Sequence, residues 1–363
     1  MPTANENLRD SLLSHQIGLH RLTTKEIRRM VALLRPIYAA TNRELRNRLL
    51  IASLRGGDPG PFTTRQAELA LAAVRAILVE GYAGLGKRFQ RRLDELADWE
   101  ASYVGAAVRS AVPAAIRYGE FSIAPEVLHQ LIRETPMQGG LVGEWFRATG
   151  KKSLVRSAMK VYKKELDAAI ASGALTGQPI DKTVRQLALK INRVARRHLR
   201  AVVDTATKHA TGLARQAWGE SNAGKDGVVN SVVHVSTFDT NTTVEWCIPR
   251  SGKRWTLPGH KPIGHGLVFA PGASLYHWGC RSLNTFGLKS WQELGIDATE
   301  LTGGEKASMD GFIPREKSLI DFYKDRQWRA GELREMFGKR RAARIESGDL
   351  SVAGALRQIG VRA

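Results

Sequence analysis

The feature that most constrains the fold of this chain is a run of helical period from Asp181 to Trp218. It opens at Asp181, a residue suited to an N-cap, after the breakers Gly177-Gln-Pro179, and stops before Ser221-Asn-Ala-Gly224. At roughly 100° per residue, Leu187, Ile191, Val194, Ala195, His198 and Val202 fall within about 120° of one another. Arg193, Arg196, Arg197 and Arg200 fall on the other side. One face is built to pack, and the other carries four guanidinium groups with no acid between Lys190 and Val203. Ordinary solvated faces mix signs, so this face is expected to meet an anion. DNA phosphate, bound without sequence preference and in a salt-sensitive way, is the first candidate. An acidic protein surface is the second. His198, on the packing face, is expected to be a hydrogen-bonded core histidine.

The rest of the first 220 residues also reads mostly as helix. Thr64 to Phe89 is rich in Ala, Leu, Val and Glu, with Leu69, Val74, Ile77, Leu78 and Leu85 as its apolar face. Arg55-Gly-Gly-Asp-Pro-Gly-Pro61 is a loop and Met137-Gln-Gly-Gly140 a second break. Charge divides the 363 residues further. The net charge is +20, and residues 151–226 hold sixteen basic against six acidic groups, half of the excess. Residues 1–55 carry +6, 56–150 carry −1, 227–312 are neutral and 313–363 carry +5. The expected segments are therefore 1–150, 151–226, 227–312 and 313–363. An excess of this size points to a polyanionic partner and says nothing about fold.

After Gly227 the pattern changes. Val228 to Thr237 is β-branched and predicts a strand, Asp239 to Thr242 a turn, and Trp246 to Trp255 a short hairpin turning at Ser251-Gly252. A Gly/Pro-rich loop over Pro258 to Gly272 follows. The neutral segment holds both cysteines, Cys247 and Cys280, and four of the nine histidines. Cys247 with His277-x-x-Cys280 supplies three zinc-type donors, and a closed tetrahedral site needs a fourth, from Asp239, His260 or His265. Structural zinc, a Cys247–Cys280 disulfide and two buried thiols all remain open on spacing alone.

No membrane segment is expected, since the longest uncharged stretch, Pro262 to Cys280, is interrupted by Gly, Pro and His. The polar N-terminus lacks the order of a signal peptide, so synthesis in a cytosol is expected. Enzyme chemistry is not expected: no phosphate loop, nucleophile elbow or H-E-x-x-H helix occurs. Gly81-Tyr-Ala-Gly-Leu-Gly86 spells three glycines, but no strand precedes it. The runner-up is a metal-dependent nuclease drafting His265, His277 and Asp239, or an injected host-directed effector. The fold class expected is α+β: a mainly helical N-terminal region, a small β-containing Cys/His module, and a helical C-terminal extension around Glu332 to Glu346, capped again at Ser351.

An ordered set of motifs adds a resemblance. Ser236-Thr-Phe-Asp239-Thr-Asn-Thr-Thr243, Cys247, Ser251-Gly252-Lys253 and His277-Trp-Gly-Cys280-Arg281-Ser282 resemble the phage Mu F-like head-morphogenesis family. The preceding helix, with Thr205-Ala-Thr207 and Ala214-Arg-Gln-Ala217, is similar to one that family places upstream. Ala307-Ser-Met-Asp-Gly311, Phe337-Gly-Lys and Ser347-Gly-Asp-Leu-Ser351 resemble its C-terminal extension. The likeness spans about 170 to 351; Asn241 stands where the family carries an Arg, and the Gly252–His277 linker is long. The resemblance implies a minor head protein of a tailed phage, in the virion interior near the portal. Its implied partners are the portal protein, packaged double-stranded DNA, and scaffold or major capsid protein. Its implied work is assembly, with a role in genome ejection.

Overall fold

A computed structural model describes residues 4–54, 64–112, 121–150, 152–171, 180–224, 227–236, 246–269, 277–278, 280, 282–289, 305–308, 311–314, 317, 319–328 and 331–358. The protein is α+β, mainly helical with one small antiparallel sheet. The helices are α1 (Ala4–Leu54), α2 (Thr64–Ala111), α3 (Pro125–Glu134), α4 (Leu154–Ala171) and α5 (Ile180–Ser221). Strand β1 (Val229–Val235), the single turn α6 (Cys247–Arg250), and strands β2 (Arg254–Thr256), β3 (Pro262–Ile263) and β4 (Leu283–Leu288) follow. A second ribbon, β5 (Glu305–Ser308) with β6 (Gly311–Pro314), precedes α7 (Leu319–Lys324), α8 (Glu332–Glu346) and α9 (Val352–Gln358).

The chain divides into two compact units, each assembled from separated stretches of sequence. One comprises Met1–Leu22, Asp94–Ile132 and Thr207–Ala363, the other Thr23–Leu93 and Arg133–Ala206. Among the described residues the elements of the second are all helices, apart from an isolated Met137–Gly140 bridge.

Within the helical unit, α2 buries Val74, Leu78, Tyr82, Leu85, Phe89 and Leu93 at spacings of three and four. Leu69, which the sequence pattern placed on this face, is instead exposed. The true stripe passes through Ala67 and Ala70, small residues that a pattern built on large side chains skips. The glycines of Gly81-Tyr-Ala-Gly-Leu-Gly86 lie in mid-helix and cradle nothing. A Cβ at Gly81 would fall 2.8 Å from the Ile37 side chain, and one at Gly86 2.7 Å from Phe146 Cβ, so both positions permit close helix packing. By length and composition, α2 also contains an 18-residue window apolar enough to cross a membrane. A search for uncharged stretches passes over it because charged residues such as Arg75 and Glu80 punctuate the helix.

The four-stranded sheet has the order β3-β2-β1-β4, with all neighbours antiparallel. Val232 lies opposite Trp255 on one side and Phe286 on the other, and these three join Leu8, Leu12, Val104, Val108 and Trp218 in the larger core of the first unit. A second core gathers Ile248, Ile320, Tyr323, Met336, Phe337 and Leu356. The predicted hairpin over Trp246 to Trp255 is not formed. Pro249 has no N–H to give a ladder, and Cys247–Arg250 winds into one helical turn that drops Ile248 into the second core. Gly252, at φ 76°, then lets Gly252 N–H donate to the His234 carbonyl at 2.8 Å, which starts β2 alongside β1.

Helix α5 ends where the stop signal lies. Asn222 caps it, its side-chain amide donating to the Trp218 carbonyl at 2.9 Å. In α8 the helical path breaks at Gly338 (φ 78°), and Ser351 Oγ accepts the Gly354 N–H at 3.0 Å to start α9.

Candidate metal centre

Three elements bring the cysteines together. Cys247 is the first residue of α6, while Cys280 stands three residues before β4, whose pairing with β1 fixes the approach of the chain. Between Cys280 and His277 a tight turn closes, with Cys280 N–H donating to the His277 carbonyl at 3.3 Å. The result places Cys247 Sγ 3.2 Å from His277 Nε2 and 3.5 Å from Cys280 Sγ. All three donor atoms lie within 4.8 Å of one another. Both cysteines are buried and neither is in a disulfide.

These distances suit an ion. With metal–sulfur bonds of about 2.3 Å and a metal–nitrogen bond of about 2.0 Å, tetrahedral donors sit roughly 3.5–3.8 Å apart. The two separations from Cys247, 3.2 and 3.5 Å, match that size to within a few tenths of an ångström, and all three donors lie within 4.8 Å of one another. The imidazole is also held in the tautomer a metal requires, because His277 Nδ1–H donates to the Trp278 carbonyl at 3.0 Å and turns the Nε2 lone pair toward the thiols. The Cys280 thiol, and then His277, hold the Cys247 thiol at about 3, far below the usual range and against the effect of burial. The Cys280 thiol is pushed up by Cys247 and by burial. Burial pulls His277 down, but Cys247 outweighs it and the imidazole titrates above its ordinary value. Two sulfurs and one imidazole nitrogen are thus brought together, a set able to hold a metal ion.

The other predicted ligands fare differently. His265 is not in this group: its Nε2–H donates to the Arg254 carbonyl at 2.8 Å, its Nδ1 accepts the Leu267 N–H at 3.2 Å, and its ring stands edge-on to Trp255. Both nitrogens serve to close the loop after β3. His260 stacks on Phe269 at 4.0 Å and pairs with Glu220. Asp239 and Asn241 lie outside the described residues.

Sequence reasoning passed over His234. It lies buried on β1 with Nδ1 bonded to Asn284 Oδ1 at 3.1 Å, and burial pushes it down to about 4. Its alternation within the β-branched run Val228 to Thr237 was the available signal. Lys208 of α5, buried despite its charge, was also passed over, and it opposes protonation of His277.

On α5, Arg193, Arg196, Arg197 and Arg200 are all exposed, while Leu187, Ile191, Ala195 and Val202 are buried. His198 is half-buried, with Nδ1 2.7 Å from Ser157 Oγ. Comparison with protein families, curated proteins and solved structures finds no match to this chain.

Proposed function

We propose that this chain is a minor head protein of a tailed phage, seated inside the capsid near the portal, where it contacts packaged DNA and assists assembly. The observation that supports this reading most is the ordered motif set from Ser236 to Ser282. Its cysteines and histidine, thirty residues apart in sequence, converge on one donor group. In this reading Cys247, His277 and Cys280 hold a structural zinc ion, since two sulfurs and one imidazole are the soft donor set zinc prefers. The ion would supply cross-linking within the module and no chemistry. Arg193, Arg196, Arg197 and Arg200 would meet phosphate, with portal or scaffold protein as the further partners.

Quantitative mass spectrometry of DNA-filled particles, before and after triggered genome release, tests the reading. A few to a few dozen copies per particle are expected; absence from filled particles refutes it. Reversing Arg193, Arg197 and Arg200 to Glu should weaken duplex binding and flatten its salt dependence. Unchanged binding would assign the stripe to a protein partner.

A metal-dependent nuclease is the second reading, favoured by one observation: among the described residues the group offers three donors, the number that catalytic zinc sites use. Chelator-sensitive nicking of plasmid by the metal-loaded protein would establish it. Intact plasmid would remove it.

A further inference from the structure

The division into units regroups the charge. The helical unit, Thr23–Leu93 with Arg133–Ala206, contains 29 of the 55 basic residues and 11 of the 35 acidic ones, a net +18 out of +20. The other unit, although larger, is left with +2. A cut along the sequence hides this, because the stretch 56–150, at −1, contributes eight of its ten cations to the helical unit and six of its eleven acids to the other.

Within the helical unit one recess stands out. It has a volume of about 190 Å³ and is lined by Leu34, Arg35, Tyr38 and Asn42 of α1 and by Asn192 and Arg196 of α5. Each helix gives one asparagine and one arginine to the same cavity, at spacings of seven and four residues that put both side chains on one face. Among the described residues no carboxylate lines it. One lining residue, Tyr38, belongs to a buried neutral network. Tyr38 Oη meets Tyr82 Oη at 2.9 Å, Tyr162 Oη–H donates to Thr41 Oγ1 at 2.9 Å, and Thr41 Oγ1–H donates to the Tyr38 carbonyl at 3.0 Å. Burial pushes Tyr82 up to about 12, so no phenolate competes there. Water occupies about 30 Å³ per molecule in the liquid, so the recess has room for a tetrahedral oxyanion and part of its hydration. The two guanidinium forks supply the donors that such an anion takes, and the amides supply more.

We propose that this recess is a phosphate seat: Arg35 and Arg196, assisted by Asn42 and Asn192, jointly take one backbone phosphate of duplex DNA. The inference rests on the DNA-contacting reading given above and adds α1 to it. Arg193 lies three residues before Arg196 on α5 and Arg200 four after. At 1.5 Å per residue they are spaced about 5 Å to either side along the helix. Duplex DNA, which offers a charge every ~1.7 Å of its axis, can engage them together. The seat fixes where the duplex is held, and the flanking arginines add charge.

Salt titration of the full-length protein on a short mixed-sequence duplex tests this. Each neutralised phosphate contributes about 0.9 to the slope of log affinity against log salt. Because two arginines share one phosphate, Arg35→Ala and Arg196→Ala should each lower the slope by up to about 1, and the double variant should lower it by no more than about 1. Arg35→Lys with Arg196→Lys should keep the slope and lose affinity, since the charge stays and the fork is lost. Arg334→Ala with Arg340→Ala, both exposed on α8 of the other unit, should change neither. An additive loss of about 2 would mean two separate surface charges and overturn the seat, as would no loss. Inorganic phosphate that binds wild type but not the double variant, with duplex binding equal in both, would make the occupant a free ion and overturn the duplex assignment. Displacement of the duplex by polyglutamate at concentrations matching its own phosphate would point to an acidic protein and overturn it too. If wild type shows no salt-dependent duplex binding, the DNA reading itself fails along with the seat. If wild type binds and the variants match it, only the seat fails.

Discussion

Removing Arg215 should cost this protein more than removing any surface charge. Glu100 of α2 is completely buried, and Arg215 of α5 nearly so. Arg215 Nε–H donates to Glu100 Oε1 at 2.8 Å and Nη2 to the same oxygen, while Nη2 also reaches Gln16 Oε1 at 3.3 Å. On the other oxygen, His15 Nε2 lies 2.8 Å from Glu100 Oε2, and its ring stacks on Tyr103 at 3.6 Å. Burial pushes the Glu100 carboxyl up, but Arg215 and His15 together outweigh it and hold it below its ordinary value. Arg215→Met keeps most of the volume and leaves a buried carboxylate with His15 Nε2 as its remaining hydrogen-bond partner. Breaking one side of a buried pair costs about 3–5 kcal/mol, or roughly 6–20 °C in Tm for a cooperative unit of this size. Glu100→Gln, which strands the guanidinium beside Gln16, should cost at least as much. The double variant Arg215→Met with Glu100→Leu should recover most of the loss, because an apolar replacement of the whole pair is near neutral. The pH dependence gives a second readout. In wild type the depressed carboxyl contributes stability that is present above its unfolded pKa and is lost as pH falls through the folded value. In Arg215→Met burial is opposed by His15 alone, so the protonated form fits the site better than in wild type and the penalty should shrink between pH 7 and 5. Urea unfolding followed by circular dichroism at both pH values measures wild type and all three variants, with Glu100→Leu alone to close the cycle. A loss below about 1 kcal/mol for Arg215→Met, or a double variant as unstable as the sum of the singles, would refute the network's role.

Other expectations follow from the same structure. Gly84→Ala, with nothing within 4 Å of its added Cβ, should raise Tm by the helix-propensity gain of up to about 1 kcal/mol. Gly86→Ala, whose Cβ meets Phe146 at 2.7 Å, should lower Tm despite the same gain, and thermal melts of the two decide the sign. Tyr162→Phe removes the donor to Thr41 and should cost about 1 kcal/mol in urea unfolding without altering secondary structure. Protein purified without a histidine tag should carry one zinc per chain by elemental analysis, and Cys280→Ser none. Chelation should lower the Tm of wild type and leave that of Cys280→Ser unchanged.

What could be read from the sequence was local. The bounds of α5 followed from a breaker on each side and an unbroken apolar period, β1 from its β-branched run, and α9 from Ser351 as a cap. Cys247, His277 and Cys280 stood out because cysteine is scarce here and the spacing is short. Pairings across long separations had no such signature. His15, Glu100 and Arg215 each look like ordinary helix residues, and only the packing of α1, α2 and α5 within the first unit shows that they are one group. His265 misled for the opposite reason. A histidine in a glycine-rich loop resembles a ligand, yet a loop that leaves backbone groups of Arg254 and Leu267 to be satisfied needs a two-sided polar side chain just as much.

The position of the metal group explains why this module would need one. Its unit has two separate hydrophobic cores, one under the sheet and one among α7, α8 and α9. The single turn α6 touches both: Ile248 packs in the second core, while Cys247 faces the chain that leads into β4 of the first. A turn of four residues has too few hydrogen bonds to hold that place alone. About thirty residues separate Cys247 from His277, and closing such a loop carries an entropic cost that one ion would offset at a single point. If so, Ile248→Ala and Cys280→Ser should be coupled in a double-mutant cycle, because each loosens the same turn. Strict additivity would separate the metal group from the joint between the cores.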